Sequence, residues 1–336
     1  MLKRFLSIIA PYLPFEQLVQ FAKRPLFLPF YHVVSNQDLP HIKHLYSVTS
    51  VERFHSDLCF LQRNFKSISS TDLYKLLKEE KRVSERYFFL SFDDGLREFY
   101  DVAAPVLLQK GIAATCFVNS AFVDNKDMFY RHKASVLIDK IEKMTLSSAQ
   151  RKEFESVCER YGLVYHSALD LLKISYQNKN LLDELASIVE LSFTEYLSVQ
   201  QPYMTSEQIR DLQQKGFTIG AHSVSHPRYQ LLSEDEQIKQ TVDCISFLKN
   251  QFNITDGLFA FPYTDVEVRK SFFEKTAKDI RMSFGTAGLK FDVIKSNLQR
   301  TAMEQSGFDS AASIVKTEYF SFILKKLIGK HIVYRD

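Results

Sequence analysis

Tyr87-Phe88-Phe89-Leu90-Ser91-Phe92-Asp93-Asp94-Gly95 sets an apolar, aromatic run against two adjacent carboxylates and a glycine. A short β-prone run that stops on a turn signal reads as a buried strand. The same arrangement recurs along the chain. Residues 26–31 lead into His32, residues 217–221 into His222-Ser223-Val224-Ser225-His226-Pro227, and residues 258–261 into Pro262-Tyr263. Further strands are expected over 113–118 and 282–285. Helical spacing of apolar residues falls between them, near 51–64, 71–79, 97–110, 205–215, 233–251 and 267–279. Ser233 with Glu236, and Thr205 with Gln208, have the spacing of capping boxes. Strand then helix, repeated six times, means an α/β fold with a parallel sheet, open or closed. In such folds the carboxyl ends of the strands share one edge or face, and active sites lie there. The polar clusters therefore converge, although they are far apart in sequence.

The rest of the 336 residues sets bounds on this reading. Apolar residues make up 45% and charged residues 25%, as in a globular chain with a core of its own. The net charge of +3, with no long basic run, argues against nucleic-acid binding. The four cysteines, Cys59, Cys116, Cys158 and Cys244, form no CxxC pair and read as buried thiols of a reducing compartment. No stretch of about 18 apolar residues marks a transmembrane helix. The N-terminal 1–10, basic and then apolar before Pro11, is expected to be a short amphipathic helix rather than a signal peptide. No proline lies between Pro105 and Pro202, and apolar residues there recur at helical spacing. Residues 125–200 are therefore expected to form a helical insertion. The polar loop 35–48, with His41 and His44, reads as exposed surface. Residues 319–328, apolar with a basic edge, suggest a C-terminal helix on the main body, with weak docking at a membrane surface as the alternative.

Each polar cluster has a plain reading alone. Asp94-Gly95 is a common turn pair, and a single histidine is usually a hydrogen-bonded structural one. Together they say more. Adjacent carboxylates repel, and a cation that neutralises one explains the pair. Pro227 disfavours helix at His226, so the two imidazoles close the ends of a loop. Two histidine nitrogens and one aspartate oxygen leave coordination positions open, as a catalytic metal site requires. The second aspartate is then free to act as base on a bound water.

Ser91-Phe92-Asp93-Asp94-Gly95 and His222-Ser-Val-Ser-His226-Pro227 resemble the first two motifs of the polysaccharide deacetylases, carbohydrate esterase family 4. Phe259-Ala260-Phe261-Pro262-Tyr263 is similar to their third, and Leu28-Pro29-Phe30-Tyr31-His32 to the Tyr-His motif of one branch. The resemblance implies an irregular (β/α) barrel of about seven strands, formed by 1–124 and 201–318 around the insertion, with 319–336 as a C-terminal amphipathic helix and tail. It implies that Asp94, His222 and His226 bind a divalent metal, commonly zinc, and that Asp93 is the catalytic base. The Tyr263 backbone N–H would serve an oxyanion hole, and Tyr31, Pro262 and Tyr263 would line the substrate. No C-terminal Leu-x-His motif is present; the similarity to the Tyr-His branch, whose N-terminal histidine takes that role, implies His32 as the general acid. Ala260 stands where the family often has an arginine, and Thr264 where it usually has glycine. Arg300, in Leu298-Gln299-Arg300, is the substitute partner for the base.

The activity implied is hydrolysis of N-acetyl groups on amino sugars of a polysaccharide or glycan intermediate. Hydrolysis of non-sugar amides on the same barrel is the alternative, and a catalytically silent carbohydrate-binding scaffold is a third reading. The cysteines and the missing cleavage site point to the cytoplasm, while a polymer substrate points to an extracytoplasmic location as the alternative.

Overall fold

The computed structural model describes residues 2–79 and 85–336. Six parallel strands follow the expected runs: β1 Pro29–Tyr31, β2 Leu90–Phe92, β3 Ala114–Val118, β4 Thr218–Ala221, β5 Leu258–Ala260 and β6 Met282–Gly285. They lie side by side in sequence order. A seventh strand, β7, closes the ring in two pieces. Asn297–Gln299 pairs with β6, and Thr301–Ala302 pairs with β1. Arg300 sits at the bend between the pieces, where its N–H still donates to the Gly285 carbonyl at 3.0 Å. One chain segment thus seals a nearly closed barrel of seven strands.

Alternation along the strands divides their side chains between two cores. Leu28, Phe89, Phe117, Ala260, Met282 and Phe284 fill the barrel. Tyr31, Phe92, Cys116, Ile219, Phe259 and Phe261 point outward to the surrounding helices. Gly220 makes room for this filling, since a Cβ there would meet the Phe117 ring at 2.5 Å. Helices between the strands include Val51–Asn64, Ser206–Gln214 and Glu234–Phe252. Both capping boxes form, at Ser233 with Glu236 and at Thr205 with Gln208.

The segment between β3 and β4 is helical, with Tyr130–Glu142, Ser148–Arg160, Leu181–Ile188 and Phe193–Gln200 joined by a 3₁₀ turn at Ala168–Lys173. Its core of Leu137, Phe154, Leu171, Leu182 and Leu185 is shared with Val33, Leu39, Ile42 and Leu96. Those four follow β1 and β2, so the helices sit on the carboxyl-end face of the barrel. The loop 35–48 is consequently not an exposed surface. Helix Phe193–Gln200 covers it, His41 is buried, and its Nδ1 meets the Tyr196 hydroxyl at 2.9 Å.

The C-terminal helix is longer than the pattern suggested. It runs Ala311–Leu327, so a boundary at 319 falls inside it. Ile314, Val315, Tyr319 and Phe322 are buried, and the helix packs on Leu2–Ile9, Phe15–Ala22 and Val51–Asn64. All four cysteines are free thiols. Among the described residues, no helix is long and apolar enough to cross a membrane.

Candidate active site

The strand ladder carries the polar clusters to one place. The Asp93 N–H donates to the Tyr31 carbonyl, and the His222 N–H to the Val118 carbonyl, both at 2.9 Å. Asp93 and His222 are therefore the next rungs after β2 and β4. Positive φ angles recur just beyond them, at Asp94 (73°), Ser223 (69°), His226 (57°) and Tyr263 (57°). Non-glycine residues in this region are strained, and such strain is held only where the surroundings fix it. Gly95 also needs φ +64°, and a Cβ there would press on the Val118 side chain at 3.0 Å.

Two residues without a readable motif fix the His222–His226 loop. Asn119 donates its side-chain amide to the His222 carbonyl. Gln240, from helix Glu234–Phe252, accepts the backbone N–H groups of Val224 and Ser225, each at 3.1 Å. The Ser223 hydroxyl accepts the His226 N–H at 3.0 Å.

Asp94, His222 and His226 are all buried, with their ligand atoms within 4.8 Å of one another. His222 Nδ1 meets the Ala260 carbonyl at 2.8 Å. A carbonyl only accepts, so Nδ1 carries the proton and Nε2 presents a lone pair. That Nε2 is 3.4 Å from Asp94 Oδ1, and His226 Nε2 is 3.1 Å from the same oxygen. Burial pushes the His226 imidazole down, toward its neutral form. Asp94 Oδ1 is buried and has no hydrogen-bond partner. Three electron-rich atoms converging in a buried space fit a cation, and an N₂O donor set suits a divalent one.

Asp93 is held differently. Arg300 Nη1 donates to its Oδ1 at 2.7 Å and Nη2 to its Oδ2 at 2.8 Å, while Nη1 also reaches the Ser91 hydroxyl at 3.0 Å. The guanidinium is wholly buried in the barrel, 4.4 Å from the Phe30 ring centroid. Burial opposes ionisation of Asp93, yet Arg300 holds its carboxyl below the usual carboxylate range. Ala260 lies in the barrel interior with no cation to offer.

His32 follows β1 with its ring between Tyr46 and Phe30, at centroid distances of 4.9 and 5.5 Å. Its Nδ1 lies 2.5 Å from Glu304, whose carboxylate also accepts the backbone N–H groups of His32 and Val33. Burial works against the imidazolium, but Glu304, aided by Asp94 and Asp93, raises its pKa to about 9.

Tyr263 covers the cluster. Its ring lies 4.8 Å from that of His226, with Phe129 on another side of His226 at 4.4 Å. Its hydroxyl meets that of Tyr130 at 3.3 Å. Pro262 precedes it, just past β5. Tyr31 is a correction: it has no exposed surface, its hydroxyl donates to Asp57 at 2.9 Å, and it packs outside the barrel. It faces away from any substrate because it sits one residue out of register with His32.

The polysaccharide deacetylase family model matches residues 80–157 and 177–282, together more than half of the chain. The chain belongs to the polysaccharide deacetylase family. Solved structures with the same fold include the Streptococcus pyogenes deacetylase PplD in complex with acetate, 14% identical, with a TM-score of 0.56 over 87% of this chain and 97% of that one. IcaB from Ammonifex degensii is 14% identical, with a TM-score of 0.54 over 87% and 97%. The de-N-acetylase from Aggregatibacter actinomycetemcomitans is 13% identical, with a TM-score of 0.52 over 87% and 99%. No curated protein matches in sequence. Family membership supports carbohydrate deacetylase activity.

Proposed function

We propose that the protein is a metal-dependent N-deacetylase of amino sugars in a polysaccharide or glycan intermediate. The observation that carries this is an Arg300-clamped Asp93 beside the buried Asp94, His222 and His226. These last three would hold the divalent ion, and zinc suits their donor set. When bound, it supplies Lewis acidity to the attacking water and the acetyl carbonyl.

The chain's own groups do the rest. Asp93, kept ionised and aimed by Arg300, takes a proton from the water as its oxygen bonds to the acetyl carbon. The Tyr263 backbone N–H donates to the carbonyl oxygen as negative charge develops there. His32, protonated at neutral pH, gives its proton to the departing amine nitrogen as the C–N bond breaks, releasing acetate. Pro262 and Tyr263 border the sugar. The free cysteines support a cytoplasmic location.

Acetate release from N-acetylglucosamine oligomers, measured with zinc and again after chelation, tests the reading. Release that chelation abolishes is expected. Turnover of allantoin with no acetate from any acetylated sugar would overturn it.

A further inference from the structure

The catalytic mouth is one end of the barrel, and the other end carries a second feature. A groove of about 420 Å³ opens where the strands begin, within the size range of small-molecule sites. Its floor is apolar, formed by Leu26, Leu28, Leu77, Met282 and Leu298. Five cations line it: Arg24, Lys78, Arg281, Lys290 and Lys295. Asp292 is the carboxylate among the lining residues, and its oxygens are already held by Arg335, Asn297 and Gln299. Arg281 also lies 3.6 Å from Asp256 and Lys295 is engaged as well, so the cationic excess rests on Arg24, Lys78 and Lys290.

Exposed apolar side chains adjoin the groove. The Arg24 guanidinium lies 3.9 Å from the Phe291 ring centroid and 5.7 Å from that of Phe322. The Phe291 N–H donates to the His331 carbonyl at 3.0 Å. These contacts draw the end of helix Phe15–Ala22, the 290–295 segment and the end of helix Ala311–Leu327 together. Phe21 (67% exposed), Phe291 (44%), Leu327 (78%) and Ile328 (65%) stand out from them. Arg24 Nε is buried without a hydrogen-bond partner, a donor that an anion would satisfy.

Scattered apolar residues on a surface are ordinary. An apolar groove ringed by cations and bordered by exposed Leu, Ile and Phe is not, because it pairs poorly hydrated apolar surface with positive charge, the two features an anionic lipid surface matches. We propose that this end of the barrel docks on an anionic bilayer surface. The groove takes the phosphate head of one anionic lipid against its cations and the first part of an acyl chain against its leucines. Leu327, Ile328 and Phe21 enter the interface beside it. Such binding combines apolar insertion with attraction to anionic lipid. Docked this way, the catalytic mouth faces away from the bilayer, so the substrate is reached from the aqueous side.

The test is co-sedimentation of the full chain with vesicles of phosphatidylcholine alone or with phosphatidylglycerol. Wild type should bind the anionic vesicles at least tenfold more tightly, and salt near 0.5 M should weaken this, since screening shortens the reach of surface charge. Lys78→Glu/Lys290→Glu and Leu327→Ser/Ile328→Ser should each lower binding by on the order of tenfold. Both should keep wild-type circular dichroism and melting temperature, which separates loss of docking from loss of fold. Equal binding to both vesicle types, unchanged binding by both folded variants, or binding of monomeric dodecyl phosphate without vesicle binding would each overturn the proposal. None of these readouts depends on deacetylase activity.

Discussion

The two sides of the candidate site are mirror images in charge. On one, a carboxylate, Asp93, is clamped by a cation, Arg300. On the other, an imidazole, His32, is clamped by an anion, Glu304. The first partner pulls a pKa down and the second pushes one up to about 9. The result is an ionised carboxylate and a protonated imidazole at the same neutral pH, the states that the proposed hydrolysis asks of its base and its acid. Both partners come from one short stretch, the bend within β7 and the segment just after it. The segment that seals the barrel also sets both charge states.

The sharpest way to break this symmetry is to remove the base. Asp93→Asn should retain the metal through Asp94, His222 and His226, yet lower acetate release on the order of a hundredfold or more. Activity within a few-fold of wild type would refute the role. Removing the partner instead gives a different result. Arg300→Met leaves a buried carboxylate without its cation, which costs about 3–5 kcal/mol of stability and raises the Asp93 pKa. The acid limb of the pH–rate profile should therefore move to higher pH, and thermal unfolding should show the loss. An unmoved acid limb with full stability would show that Arg300 does not set the charge of Asp93.

The acid side predicts smaller effects of opposite sign. Glu304→Gln removes the anion that favours the imidazolium, so the basic limb should move down from its wild-type position. That position lies at or below about 9, because a bound cation nearby disfavours the imidazolium. The His32–Glu304 pair stabilises the folded chain fully below about 6.5, and this part is lost as pH climbs toward 9. Denaturant titrations across that window should show the loss in wild type and not in Glu304→Gln. His32→Ala should impair amide substrates more than activated esters, whose leaving groups need no proton. The smallest effect belongs to Tyr130→Phe, which loses the hydroxyl contact with Tyr263. It should change acetate release by less than about tenfold, the scale of one ordinary hydrogen bond.

How much of this was legible follows from residue type. Strands β1 to β6 were readable because each is an apolar run ending on a turn signal. β7 was not, because Asn297, Gln299, Arg300 and Thr301 look polar; Arg300 points inward only because Asp93 is there to meet it. Asp93, Asp94, His222 and His226 stand out as pairs with a fixed spacing. Glu304, Asn119 and Gln240 act as lone residues from separate segments, which leave no pattern in sequence. Tyr31 was misplaced because strand alternation turns it outward while its neighbour His32 lies past the strand end. The loop 35–48 looked exposed because its cover, helix Phe193–Gln200, lies some 150 residues away in the chain.

The claim on which everything rests is that Asp94, His222 and His226 form one metal site, with Asp93 outside it. Elemental analysis of purified wild type, His226→Ala and Asp93→Asn tests it directly. Close to one divalent ion per chain is predicted in wild type and Asp93→Asn, with almost none in His226→Ala. Equal metal in wild type and His226→Ala, or its loss in Asp93→Asn alone, would contradict the account.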